Sequence, residues 1–316
     1  MQTERLAYFD QMKGVAIFSM VVGHVLLFSF GIDHCSLSNS LNLFAMPVFF
    51  YVSGYFSYRS LCNIREFGSY IFRKSSRLLL PWLFATFLYC MYSGRSFFNI
   101  FTEFYWFFYI LFILTLLFSL LDFVLLRFTK SAYPILILFV PIILGVLTYL
   151  YEDTTSIPLN ALTRYSCFFL SGWICKKYKK VHELILNSSV LNICSIVLYI
   201  YGCFHYLELN IILRTASSLG AIILMQSFFY QNRFNTGSKI MNAFTFMGQN
   251  TIAIYIFNNY FLPDLKCLLG GAFLNMTHSW IIELIFASCL SIPIVLMCVL
   301  IKIIFRNNQF LNRIVS

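Results

Sequence analysis

Long apolar stretches, separated by short polar connections, are the feature that most limits how this chain can fold. The first stretch runs from Gly14 to Ile32, about nineteen residues of almost entirely apolar character. At ~1.5 Å per residue a helix of that length crosses a bilayer core of ~30 Å. Backbone polar groups cannot bond to water inside lipid, so such a stretch is expected to cross as a helix.

About ten stretches of this kind occur along the 316 residues. The chain is 60% hydrophobic and 11% charged, and its mean hydropathy is +0.79, far from the balance of a soluble domain. The sequence therefore predicts an all-α, polytopic membrane protein in which residues 1–316 form a single membrane-embedded domain. The stretches lie at residues 14–32, 41–58, 78–93, 104–126, 133–151, 160–175, 190–206, 210–229, 243–263 and 280–301.

The basic residues predict how these spans are oriented. With the N-terminus inside, eighteen of the 22 Lys and Arg fall on one side of the membrane and two on the other. This positive-inside bias places both termini in the cytoplasm. The net charge of +10 is then a topology signal and an attraction for anionic headgroups. Membrane lipids are expected contacts, and nucleic acid is not an expected partner.

The first apolar stretch carries a cation at its entrance and a histidine near its middle. Lys13 and His24 are eleven residues apart, which puts them on one helical stripe about 16 Å apart. A charge at the bilayer centre costs ~2.5 kcal/mol or more, so His24 is expected to be neutral or to face a polar cavity. Asp10 is expected to pair with Arg5 or Lys13. Alternatively, His24 only bonds a neighbouring backbone group or hydroxyl in a helix bundle.

The second stretch contains Pro47 in its outer half and Ser53-Gly54 toward its inner end. Small residues let another helix approach closely. A similar phrase, Phe168 to Trp173, occurs in the sixth stretch, but two phrases are too few to indicate an internal repeat.

The connection that follows the second stretch is basic. Arg73 and Arg77 are four residues apart, so on a helix they project together and are able to grip phosphate. Topology alone also explains a basic inner loop, because such loops retain Lys and Arg on the cytoplasmic side.

Several of these patterns together resemble the acyltransferase-3 family, multi-pass membrane proteins, mostly bacterial, that O-acylate sugars and glycolipids. In that family a basic residue stands eleven positions before an essential histidine, as Lys13 stands before His24. The late segment departs from the family pattern, since Asn258 stands where a histidine is common. The matching runs are Arg5-x4-Asp10-x2-Lys13-Gly14-x-Ala16-x7-His24, Met46-Pro47-x-Phe49-Phe50-x-x-Ser53-Gly54-Tyr55, Lys74-x2-Arg77-Leu78-x2-Pro81, Trp106-Phe107 and Gly248-x2-Thr251-x3-Tyr255.

The resemblance implies transfer of an acyl group, most often acetyl, from acyl-coenzyme A to a sugar hydroxyl of a polysaccharide or glycolipid. His24 would act as general base or carry the acyl group transiently, and the sequence leaves both roles open. Lys13, Arg73 and Arg77 would meet the phosphates of the donor. Acyl-coenzyme A is a co-substrate in this scheme, with no bound cofactor and no metal. The expected location is the inner (cytoplasmic) cell membrane.

Other polar residues are weaker candidates for binding the acceptor. Arg164 and Arg214 lie in the outer halves of their stretches, where a cation is expensive unless it is paired. Glu283 and Glu208 are the possible acidic partners. Alternatively, Arg164, Arg214 and Glu283, with Ser53 and Trp106, line a pocket for the sugar. A glycolipid or polysaccharide transporter and an inactive family member remain alternatives for the whole chain.

Overall fold

The computed structural model describes residues 7–32, 35–61, 63–94, 105–128, 137–151, 159–232, 238–266 and 280–315. Throughout these ranges the chain forms helices and short connections, with no β-strand. The all-α prediction is therefore confirmed for the described part of the chain. Arg5, one of the two partners predicted for Asp10, lies outside these ranges.

The first half of the chain contains most of the long helices. Helix α1 ends at His24 and continues directly into a π-helical turn. The bounds are α1 Ala7–His24, the π-turn Val25–Ser29, α2 Ser36–Ser57, α3 Ile64–Ser93, α4 Trp106–Phe128, α5 Val140–Tyr151 and α6 Leu159–Lys177.

The second half of the chain is more broken. Asn250 separates two short helices inside the ninth apolar stretch, and a 3-10 turn follows them. The bounds are α7 Lys179–Asn187, α8 Ser189–Phe204, α9 Ile211–Gln231, α10 Lys239–Gln249, α11 Thr251–Phe257, the 3-10 turn Asn258–Phe261, α12 Trp280–Phe305 and α13 Gln309–Val315.

Polar side chains fix the start of several helices. In each case the side chain of the residue before the helix accepts a hydrogen bond from a backbone N–H of the first turn, which would otherwise lack a partner. Asn63 accepts from the Glu66 N–H at 2.8 Å, and Asn210 accepts from the Leu213 N–H at 2.9 Å. Ser188 and Ser238 cap α8 and α10 in the same way.

Each predicted apolar stretch is mostly helical where the structure describes it. By length and composition, four helical segments of the described part are able to cross a membrane, and a fifth is added if α7 and α8 are one broken span. The other spans of the ten-span prediction, and the cytoplasmic termini, stay predictions. The four are Ala7–Ser29, Trp106–Val124, Ile211–Gln231 and Trp280–Phe305.

The chain divides into two compact units, residues 1–49 with 183–316 and residues 50–182. In the first unit, α1 and α10 cross at two glycines. A Cβ on Gly14 would overlap the backbone of Phe244, and a Cβ on Gly248 would overlap the backbone of Asp10. The two helices therefore touch through their backbones, as small residues permit in membrane bundles.

In the second unit, α2 and α6 cross by the same arrangement. A Cβ on Gly54 would overlap the backbone of Phe169, and a Cβ on Gly172 would overlap the backbone of Tyr51. The two similar phrases found in the sequence, one around Gly54 and one around Gly172, thus pack against each other.

Candidate active site

His24 is the last residue of α1, at the point where α-helix changes to π-helix. In the turn that follows, the Phe30 N–H donates to the Val25 carbonyl at 3.1 Å. The Leu265 N–H donates to the Ser29 carbonyl at 3.0 Å, which fixes the turn to the segment that follows the 3-10 turn. Isolated π-turns are rare and often occur at functional sites, because the wider turn redirects the side chains around it.

The imidazole of His24 contacts the side chain of Asn258. Nδ1 of His24 lies 2.7 Å from Oδ1 of Asn258, a hydrogen bond between residues 234 positions apart in the sequence. Asn258 is fully buried and begins the 3-10 turn, whereas His24 is half-buried. Phe28 packs edge-on against the imidazole, with ring centroids 5.5 Å apart. The hydrogen bond to Asn258 thus occupies Nδ1 of the ring and not Nε2.

Lys13 lies on α1 three turns before His24. Its Nζ contacts Oδ1 of Asp10 at 2.7 Å, so the predicted pairing of Asp10 with Lys13 is confirmed. The Lys13 side chain keeps 25% of its surface exposed, and that of Asp10 keeps 6%. The ion pair partly neutralises Lys13, which therefore offers less charge to an anionic donor than a free lysine would.

Arg73 and Arg77 lie on α3 and are both exposed. They are one turn apart on a continuous helix, which is the condition under which the sequence predicts that their side chains project together. Lys74, between them in sequence, is half-buried, and its Nζ donates to Oγ of Ser57 at 3.1 Å. Burial, with a smaller contribution from the nearby Arg77, lowers the pKa of Lys74 to about 8.

Trp106 and Arg164 meet at one aromatic ring in the second unit. The Trp106 ring stacks on Tyr165 with centroids 5.3 Å apart, and Tyr165 stacks on Phe50 at 4.4 Å. The Arg164 guanidinium carbon lies 5.6 Å from the Tyr165 centroid, within cation–π range. We call Phe50, Trp106 and Tyr165 the aromatic cluster. Ser53 follows it on α2 and is half-buried.

Arg214 lies in the first unit, and the contacts described for it are to Tyr206 and not to a carboxylate. Its Nη2 donates to the Tyr206 carbonyl at 3.0 Å, and its guanidinium carbon lies 4.5 Å from the Tyr206 ring centroid. Glu208 instead contacts Nδ1 of His205 at 3.0 Å, and Glu283 lies near Cys35. A carbonyl dipole and a ring face replace the expected carboxylate as the partners of Arg214.

The family model described as an acyltransferase domain matches residues 6–302, nearly the whole chain. The chain belongs to the acyltransferase-3 family. It is also similar to the nodulation protein NolL of Mesorhizobium japonicum, with 26% identity across 97% of this chain and 89% of that protein. No solved structure matches it. The chain is therefore a membrane acyltransferase that transfers groups other than amino-acyl groups.

Two residues of the candidate site were not predicted from the sequence. Asn258 was noted only as a departure from the family pattern, although an amide inside an apolar stretch is a signal that it needs a specific partner. Lys74 was noted only as part of a motif, and nothing in the sequence distinguishes its burial from the exposure of Arg73 and Arg77.

Proposed function

We propose that this acyltransferase moves an acyl group, most simply acetyl, from acyl-coenzyme A to a sugar hydroxyl of a polysaccharide or glycolipid, and that it does so in the inner cell membrane. The observation that carries the proposal is the engagement of His24 by Asn258. This hydrogen bond occupies Nδ1 of His24 and leaves Nε2 as the nitrogen that acts on the reacting groups.

His24 acts as general base in this scheme. The acceptor hydroxyl oxygen attacks the thioester carbonyl carbon while Nε2 takes its proton, so a C–O bond forms. The C–S bond then breaks, and the sulfur of coenzyme A takes the proton back from the imidazolium. An imidazole suits both transfers because its unperturbed pKa lies near working pH.

Coenzyme A is a cytoplasmic polyanion, so its binding needs cations. Arg73 and Arg77 supply exposed guanidinium groups from one face of α3, and each is able to grip a phosphate with two N–H groups. Lys74 adds an ammonium group whose described hydrogen bond goes to an uncharged hydroxyl. Lys13 contributes less than a free cation, because it is paired with Asp10.

The aromatic cluster with Arg164 suits an acceptor sugar. Binding sites for small molecules combine apolar and aromatic walls with a few polar groups that orient the ligand, and Trp106, Tyr165 and Arg164 together have this character. Ser53 adds a hydroxyl on the adjacent α2. Arg214 and Glu283 are the less favoured acceptor contacts, because Arg214 is engaged by Tyr206.

The proposal is tested by measuring O-acyl groups on the glycans of cells that carry or lack the gene. Removal should eliminate one O-acyl ester, and the wild-type gene should restore it. His24→Ala should not restore it, although the protein is inserted normally. His205→Ala is the matched control, since His205 is exposed and pairs with Glu208, and it should restore the ester. An unchanged ester content without the gene, or restoration by His24→Ala, contradicts the proposal.

A further inference from the structure

The side-chain amide of Asn258 has only one orientation that satisfies its neighbours. Its Nδ2 donates to the Ile254 carbonyl at 2.9 Å and to the Tyr255 carbonyl at 2.8 Å. Turning the amide over would place Oδ1 against these two carbonyl oxygens and leave a fully buried side chain with two repulsive contacts. Oδ1 therefore points to His24.

This orientation determines which nitrogen of His24 carries the proton. An amide oxygen only accepts hydrogen bonds, so Nδ1 of His24 must be the donor across the 2.7 Å contact. In a neutral imidazole the other nitrogen, Nε2, then holds a lone pair. The opposite tautomer would set the Nδ1 lone pair against Oδ1.

We propose that Asn258 is a positioning residue that holds His24 in the Nδ1–H tautomer and so presents Nε2 as the base. The catalytic part of this inference rests on the proposed function. The tautomer of His24 does not depend on the identity of the acyl donor. The break at Asn250 and the 3-10 turn make this possible. They place Asn258 where its Nδ2 reaches the Ile254 and Tyr255 carbonyls at the end of α11.

Two substitutions separate positioning from packing. Asn258→Leu keeps a branched side chain of similar shape but removes the acceptor oxygen. Asn258→Asp keeps an acceptor for Nδ1–H but loses both donors to the backbone and buries a carboxylate. A purely structural role predicts that Leu is tolerated better than Asp, because burying a charge beside two carbonyls is the larger penalty. Positioning predicts the reverse order for kcat.

The first experiment measures acyl transfer from acetyl-coenzyme A to a cell glycan fraction by the full-length variants in liposomes. Asn258→Leu should lower kcat by about 10²-fold with little change in the donor KM, in keeping with the loss of a correctly protonated base. Asn258→Asp should retain at least about ten times the kcat of the Leu variant. Asn192→Leu is the matched control, since the buried Oδ1 of Asn192 has no described hydrogen-bond partner, and its kcat should equal that of the wild type. A kcat for Leu equal to or above that for Asp overturns the proposal.

The second experiment reads the tautomer directly and remains decisive if the Asp variant does not fold. Ring ¹⁵N spectra of histidine-labelled protein, with the His24 signals assigned by their loss in His24→Ala, should show the proton on Nδ1 in the wild type. Asn258→Leu should lose that preference, and Asn192→Leu should keep it. A proton on Nε2 in the wild type overturns the role of Asn258 even if acyl transfer is observed. A correct tautomer without acyl transfer contradicts only the proposed function.

Discussion

Replacement of Gly14 by alanine should destabilise the first unit, although alanine is the better helix former. The added Cβ would overlap the oxygen, carbon and Cα of the Phe244 backbone, and no rotamer change relieves a clash with backbone. Helices α1 and α10 would have to move apart. Gly23 lies on the same helix, and a Cβ there would meet nothing within 4 Å. It is therefore a matched control in one element.

The expected magnitudes follow from these two environments. Overpacking a tight contact costs ~1–3 kcal/mol, and alanine regains up to about 1 kcal/mol of helix propensity over glycine. Gly14→Ala should therefore lower the free energy of unfolding by about 1–2 kcal/mol. Gly23→Ala should leave it unchanged or raise it by up to about 1 kcal/mol.

Reversible unfolding in mixed detergent micelles measures both variants against the wild type. Because α10 leads through Asn250 and α11 to Asn258, the separation should also disturb the His24 contact and lower kcat in Gly14→Ala. If the two variants have equal unfolding free energies, the backbone contact between α1 and α10 does not hold the helices as described.

The donor site and the topology give further predictions. Arg77→Ala should weaken donor binding about ten-fold to a hundred-fold, and Arg77→Lys should weaken it somewhat less. Unchanged donor affinity in both variants would mean that Arg77 only helps to keep its loop in the cytoplasm. Since the pKa of Lys74 is lowered to about 8, its charge is lost as pH rises through that value. Donor affinity should then fall between about pH 7 and 9 in the wild type but not in Lys74→Arg, whose guanidinium stays charged. Equal pH profiles of donor affinity in the two proteins would show that Lys74 does not bind the donor. Reporter fusions after residues 70 and 180 should report cytoplasm, and those near 36, 155 and 270 the outside. A cytoplasmic signal at 155 contradicts ten spans.

Local features of the fold were predictable from the sequence. Hydropathy located the apolar parts of the helices, because a stretch long enough to cross lipid is recognised without any tertiary contact. The pairing of Asp10 with Lys13 was predictable for the same reason, since three residues of helix bring them together. The break at Asn250 was not predicted, because the ninth stretch is apolar on both sides of it.

Contacts between distant segments were not predictable. In the sequence, Asn258 is only a departure from the family pattern. The fold shows that it contacts His24, which lies 234 positions earlier in the chain. The phrases around Gly54 and Gly172 were visible as similar, but not as the two sides of one helix crossing. For Arg214 the sequence left open a carboxylate partner or a sugar pocket, whereas the described contacts are the carbonyl and the ring of Tyr206.

The central claim is that the chain transfers an acyl group from coenzyme A by means of His24. The most direct measurement is made on purified protein in liposomes, with radiolabelled acetyl-coenzyme A on one side and a cell glycan fraction present. The wild type should bind the donor and move label into a base-labile ester on the glycan. His24→Ala should bind the donor with similar affinity and transfer at least about 10²-fold more slowly. Absence of specific donor binding by the wild type, as expected for a transporter, or near-normal transfer by His24→Ala would contradict the account.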